Sequence, residues 1–196
     1  MMAKEDRQRA ILECAKQLFA ARGYHGTSIA DIIKEAAVAR ATFYVYFNSK
    51  AAVFHALIDS ALETIVSKLK PVLTGANVDR ENVLRQLRVN LSHALGPLFS
   101  DPCLAKIFVS EVESVDDDAT KKLKVFYGNL VTWLEESLEE GMSLGIVRKC
   151  NSRITAIAIV GMLRGIVLAI SDDNHQLDFH EVVEEITANV AQGIII

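Results

Sequence analysis

The chain has 196 residues, of which 51% are hydrophobic, and a formal net charge of −4. It is too apolar for a disordered chain, can build a sizeable core, and has the length of one compact unit with a small appended module. With three prolines and no repeat, Gly/Ser linker or low-complexity tract, the parts are expected to join through a helix.

Ile11, Leu12, Ala15, Leu18 and Phe19 recur at helical spacing within 4–22, and Gly23 ends that helix. Ser28 and Asp31 form a capping box for a second helix that turns Ile29, Ile32 and Ile33 inward. A break near Ala37 and Val38 precedes a third short helix, Ala39–Tyr46. Asn48 or Ser49 caps a fourth that runs to about Leu69 through Val53, Phe54, Leu57, Ala61, Leu62, Ile65 and Val66. Beyond Pro71–Val78, Asp79 opens a fifth helix, expected to end at Gly96-Pro97. Asp101-Pro102 starts a sixth, since proline is tolerated at the first helical position. Asp116–Asp118 favour the positive end of a seventh reaching Gly141. Asn151 or Ser152 begins a very apolar eighth to Ser171, and Asp178 with Glu181 boxes the ninth. No segment alternates with period two, so the expected fold is all-α with about nine helices.

The eighth helix carries one charge between Ile154 and Ile170, Arg164, and is at the short limit for crossing a bilayer. It is read as a buried helix, and no membrane partner is expected. Gly161 and Gly165 stand four apart, where another backbone can approach closely. Paired with the apolar stripe of the last helix, this predicts a homodimer seam of Ile157, Gly161, Arg164, Gly165, Leu168, Val182, Val183, Ile186 and Val190.

In the third helix Phe43 and Phe47 share one face, which docks inward with Val38. The opposite face presents Arg40, Ala41, Tyr44 and Val45, flanked by Thr42 and Tyr46. Arginine pairs with guanine edges, Thr and Ala methyls touch thymine methyls, and a Tyr hydroxyl donates to phosphate. Thr27 and Ser28 open the second helix, where free N–H groups favour a phosphate, and Lys50 is expected to reach another. The charge distribution agrees: residues 1–50 hold eight Lys/Arg against five Asp/Glu, and residues 51–196 hold thirteen against twenty.

Residues 7–58 resemble the N-terminal domain of the TetR (tetracycline-repressor-like) family. The resemblance lies in Arg9-Ala-Ile-Leu12, Ala15, Leu18-Phe-Ala20, Gly23-Tyr24, Gly26-Thr-Ser-Ile29, Asp31-Ile32, Ala36, Val38, Thr42-Phe-Tyr44, Tyr46-Phe47, Ser49-Lys50 and Val53-Phe54. It implies a homodimeric, all-helical transcriptional regulator, usually a repressor, released from DNA by a small molecule. It places a helix-turn-helix DNA-binding domain at 1–48 and an effector-binding and dimerisation domain at 49–196. DNA contacts then fall on Thr27, Ser28, Arg40, Ala41, Thr42, Tyr44, Tyr46 and Lys50. Two departures stand out: Ala36-Ala37-Val38 where Ala-Gly-Val is common, and Val45 at a site often polar or basic. Alanine fits that turn only if its φ is not strongly positive.

Helices five to eight are expected to line a pocket with Leu91, His93, Leu95, Phe99, Phe108, Phe126, Tyr127, Trp133 and Met162, suited to a mostly apolar effector. The expected partners are a double-stranded DNA operator, a small-molecule effector and a second copy of the chain. Cys14, Cys103 and Cys150 have no metal-like spacing and read as small buried hydrophobes in a cytoplasmic protein. His175 and His180, five apart, share no helical face, and Glu111, Glu113 and Asp116–Asp118 read as a solvated acidic run. There is no GxSxG, P-loop or HExxH motif, so no cofactor, metal or catalytic residue is expected. The alternative reading is a cytosolic helical small-molecule-binding protein with a weakened DNA head.

Overall fold

The computed structural model describes residues 4–71, 79–111, 115–172 and 177–195. Among the described residues are nine α-helices: α1 (Lys4–Arg22), α2 (Ile29–Glu35), α3 (Arg40–Tyr46), α4 (Lys50–Val66), α5 (Arg80–Ser100), α6 (Pro102–Lys106), α7 (Asp117–Ser143), α8 (Ser152–Ser171) and α9 (Phe179–Ile194). A π-helical turn, Ile107–Glu111, prolongs α6. The extended structure among these residues is one isolated antiparallel bridge, Val147 with Ile195.

Local chemistry sets most helix starts. The side chains of Ser28, Ser49, Asp79, Asp101, Asp116, Asn151 and Asp178 each accept a backbone N–H of the following turn. Gly23 closes α1 at φ 76°, its N–H donating to the Phe19 carbonyl at 2.9 Å. α4 stops at Val66, short of Leu69, with Ser67 as its cap.

α5 does not stop at Gly96-Pro97. It runs through the proline to Ser100 because Leu95 and Leu98 are buried and Phe99 packs on Phe179 of α9, ring centroids 5.2 Å apart. Burial on both sides of Pro97 outweighs the backbone hydrogen bond it removes.

One apolar cluster spans both regions of the chain. Ile11, Phe19, Phe43 and Phe47 of the first three helices are continuous through Phe54 and Ile58 of α4 with Leu95, Ile107 and Val183. Lys16 on α1 pairs with Asp101 at the start of α6, and Lys122 on α7 with Asp59 on α4 at 2.7 Å. The head is therefore tied to the body through α1 as well as α4.

Three expectations about burial change. Cys14, Cys103 and Cys150 are half-buried, not buried. α8 is not a buried helix: it packs one side on α7 and leaves Ile154, Ile157 and Leu168 at 53–66% exposure. Val182, Val183 and Ile186 of α9 are buried inside the protomer and Val190 packs on its core, so that stripe is occupied within the single chain.

A helix-turn-helix head and an apolar cavity

The head is built around three aromatics packed tilted and edge to face. Phe19, Tyr24 and Phe54 lie with ring centroids 5.4–5.7 Å apart, knitting α1 to α4. α2 rests Ile32 on this cluster, and α3 inserts Phe43, fully buried, 6.1 Å from Phe47. A seven-residue helix cannot hold itself in water, so these two rings fix its orientation. Between the helices Ala37 takes φ +50°, with its N–H on the Lys34 carbonyl at 3.2 Å. The turn keeps its left-handed shape, and alanine bears the strain that glycine would avoid.

The outward face of α3 is the one anticipated. Arg40 and Ala41 are exposed, Tyr44 and Val45 are 45% and 70% exposed, and Thr42 and Tyr46 are half-buried at the flanks. The Arg40 guanidinium lies 5.8 Å from the Tyr44 ring centroid, a loose stacking that leaves its donors free to point outward. Ser28 is exposed at the N-cap of α2, and Asp31 reaches back to its N–H at 2.8 Å. Hydrogen bonds from Ser28, side chain first and then backbone, hold the Asp31 carboxyl below its usual range.

Thr27 and Lys50 are placed otherwise than expected. Thr27 is 2% exposed, and its hydroxyl donates to the Gly23 and Leu18 carbonyls at 2.9 and 3.3 Å, which leaves nothing for a phosphate. Lys50 turns inward: its ammonium donates to the Tyr24 and Thr27 carbonyls at 2.6 and 2.7 Å and sits 4.1 Å from the Tyr24 ring centroid. Burial lowers its pKa, and it acts as a clamp on the α1–α2 turn.

Behind the head, α4, α5, α7 and α8 surround an apolar cavity that is partly open to solvent. Leu91, Leu95, Phe108, Phe126, Tyr127 and Trp133 line it as expected. His93, Phe99 and Met162 do not. His93 Nδ1 lies 3.0 Å from the Lys68 carbonyl, Phe99 stacks on Phe179, and Met162 packs in the core. Asn90 and Arg164 line the cavity without having been foreseen there. Asn90 sits at i+3 from Leu87 on the inward stripe, and Arg164 at i+4 from Val160, so polar residues at apolar spacing were the readable signal.

Asp116 is more than part of a solvated acidic run. Its carboxylate caps α7 and lies 3.0 Å from His55 Nε2 on α4, so the long α4 helix is fastened to α7 near the head. His175, Glu113 and the side chain of Glu111 lie outside the described residues.

A three-helix head with a solvent-facing third helix, tied by α4 to an apolar cavity, defines a helix-turn-helix regulator. Residues 11–57 match the family described as bacterial regulatory proteins, tetR family. The chain is 30% identical over 178 residues, 86% of each protein, to an uncharacterized HTH-type transcriptional regulator in the lacX 3′ region of Lactococcus lactis subsp. lactis. The fold is shared with the fatty acid degradation regulator FadR from Bacillus halodurans (TM-score 0.75, 24% identity, 94% of each chain). It is shared too with FadR from Bacillus subtilis in complex with stearoyl-CoA (TM-score 0.75, 20% identity, 94% of this chain and 98% of that one). The chain belongs to the TetR family of bacterial regulatory proteins and is an HTH-type, DNA-binding transcriptional regulator.

Proposed function

We propose that the protein is a homodimeric repressor that leaves a pseudo-palindromic operator when a small, mostly apolar effector fills the α4–α5–α7–α8 cavity. The observation that carries this reading is α3 itself, a helix too short to stand alone, pinned by Phe43 so that Arg40, Ala41 and Tyr44 face solvent together. Arg40 reads a base edge, Tyr44, Tyr46 and Ser28 hold phosphates, and Ala41 and Thr42 allow the helix to sit deep in the major groove. The unit that binds DNA is 1–48 and the unit that binds effector and partner is 49–196, although one core runs through both.

The dimer seam lies on the open face of α8, through Ile157, Gly161, Gly165 and Leu168, while Arg164, expected in that seam, lines the cavity beside Tyr127. A Cβ added at Gly161 or Gly165 would meet nothing within 4 Å, so nothing in the protomer's own packing requires glycine at either place. Close approach of a second backbone supplies the reason. Two heads on such a dimer meet successive major grooves, about 34–36 Å apart. α4 supplies the link, since Ile65 lines the cavity while Lys50 clamps the head.

The apolar lining supports a lipophilic effector, and the FadR neighbour bound to stearoyl-CoA shows that this fold accepts an acyl compound. The test is an operator fragment selected from random duplex, followed by fluorescence anisotropy with lipophilic compounds. The reading expects operator affinity to fall about 5- to 150-fold with one of them, the usual range of allosteric coupling. A dimer that binds the operator equally with every compound contradicts it, and favours a regulator governed by its own concentration.

A further inference from the structure

The cavity assigned to the effector is walled almost entirely by carbon, so its few polar groups define what else the ligand must carry. Asn90 is occupied by the fold: its Oδ1 accepts from the Lys70 N–H and Gln86 Nε2, each at 3.1 Å, and its Nδ2 donates to the Lys70 carbonyl at 2.7 Å. Arg164 is not so occupied. It is the one charged residue in the lining, it is exposed where the cavity meets solvent, and it forms no ion pair among the described residues.

Its guanidinium is held in place without being neutralised. Cζ lies 4.9 Å from the centroid of the Tyr127 ring, a cation–π contact that orients the fork beside the Tyr127 hydroxyl, to which it also hydrogen-bonds. The Tyr127 hydroxyl, pushed up by burial and pulled part of the way back by the guanidinium, stays a neutral donor at the same spot. A planar cation and a phenol side by side at the rim of an apolar cavity match a carboxylate attached to a hydrocarbon chain.

We propose that the effector is a single-anion amphiphile whose carboxylate is held by Arg164 and Tyr127 while its apolar chain lies against Phe108, Phe126, Trp133 and Leu91. This rests on the effector-gated reading above and gives its ligand a chemical class. A head with several phosphates is not matched, because among the described residues one cation lines the cavity where several would be required.

The test uses the full-length protein and its only tryptophan, Trp133, which lines the cavity and reports binding by fluorescence. Dodecanoate, dodecanol, dodecylammonium and lauroyl-CoA share one chain and differ in the head. Dodecanoate is expected to bind about tenfold more tightly than dodecanol, with the margin shrinking at high salt because Arg164 is exposed. Dodecylammonium is expected to bind most weakly. In Arg164→Gln the acid-to-alcohol ratio falls to about two, and Arg164→Lys recovers part of it. Equal binding of acid, alcohol and ammonium by the wild-type protein overturns the assignment even if Arg164→Gln fails to fold. A preference that survives in folded Arg164→Gln overturns it too, as does tighter binding of lauroyl-CoA than of dodecanoate. Operator affinity in the same titrations separates the two claims. Acid and alcohol that bind alike and both release DNA overturn the carboxylate assignment and leave gating intact. The predicted preference with unchanged operator affinity supports the assignment and removes gating.

Discussion

Ala37 shows how much one residue of a turn can matter. Its φ of +50° is a conformation that costs a side chain about 1 kcal/mol relative to glycine. Ala37→Gly is therefore expected to raise stability by about that amount and the melting temperature by about 2–4 °C, measured by thermal unfolding. A lower melting temperature would mean that the alanine methyl makes a contact worth more than the strain. Asp116 gives a pH dependence. The Ala119 amide first, and His55 after it, hold its carboxyl below the ordinary carboxylate range. The folded state thus favours the charged form, so this contribution is complete above about pH 4 and is lost as the pH falls below it. Asp116→Asn keeps a capping side chain and is expected to flatten the acid limb of the stability curve. An acid limb of unchanged slope would place the sensitivity elsewhere.

At the scale of an element, α3 is defined by what it hides and what it leaves out. Val45, at 70% exposure, lies beside Arg40 and Tyr44 on the outer face. If that face meets DNA, Val45→Lys adds one phosphate contact and steepens the dependence of log affinity on log salt by about 0.9. A slope that stays put would turn this face away from the duplex. What was legible in the sequence follows from distance along the chain. Ser28 with Asp31, Asp79, Asp101 and Asn151 announce helix starts because a cap bonds to amides within one turn. The spacing of Phe43 and Phe47 likewise shows which side of α3 is buried. Contacts between distant segments were not legible. Nothing near Pro97 reveals that Leu98 is buried and Phe99 meets Phe179, eighty residues on. Thr27 and Lys50 read as phosphate ligands until the fold brings the Tyr24 and Thr27 carbonyls to the lysine and the Gly23 carbonyl to the threonine. The stripe on α9 was visible as apolar, but not that α5 and the core already cover it.

At the scale of the whole molecule, head and body share one hydrophobic core and are fastened by Lys16 with Asp101, while His55 with Asp116 holds α4 to α7. In the proposed gating, a change in the cavity wall at Ile65 would reach the head through packed α4, not through a flexible linker. Pairing through α8 would set the spacing of two such heads. Leucine favours helix more than glycine does, and a Cβ at either position meets nothing within 4 Å, so Gly161→Leu with Gly165→Leu is expected to leave the protomer about as stable. The same change fills the proposed seam and is expected to yield monomers in sedimentation, with loss of tight operator binding. A stable dimer in that variant would move the seam off α8. DNA binding rests most on α3 presenting Arg40 and Tyr44 to the duplex. The most direct measurement is the affinity of Arg40→Ala/Tyr44→Ala for a selected operator fragment, alongside circular dichroism and sedimentation. The expected result is a folded dimer that has lost roughly tenfold or more in operator affinity, since each good base contact is worth about 1–3 kcal/mol. A folded double variant that holds the same fragment as tightly as the parent protein would contradict it.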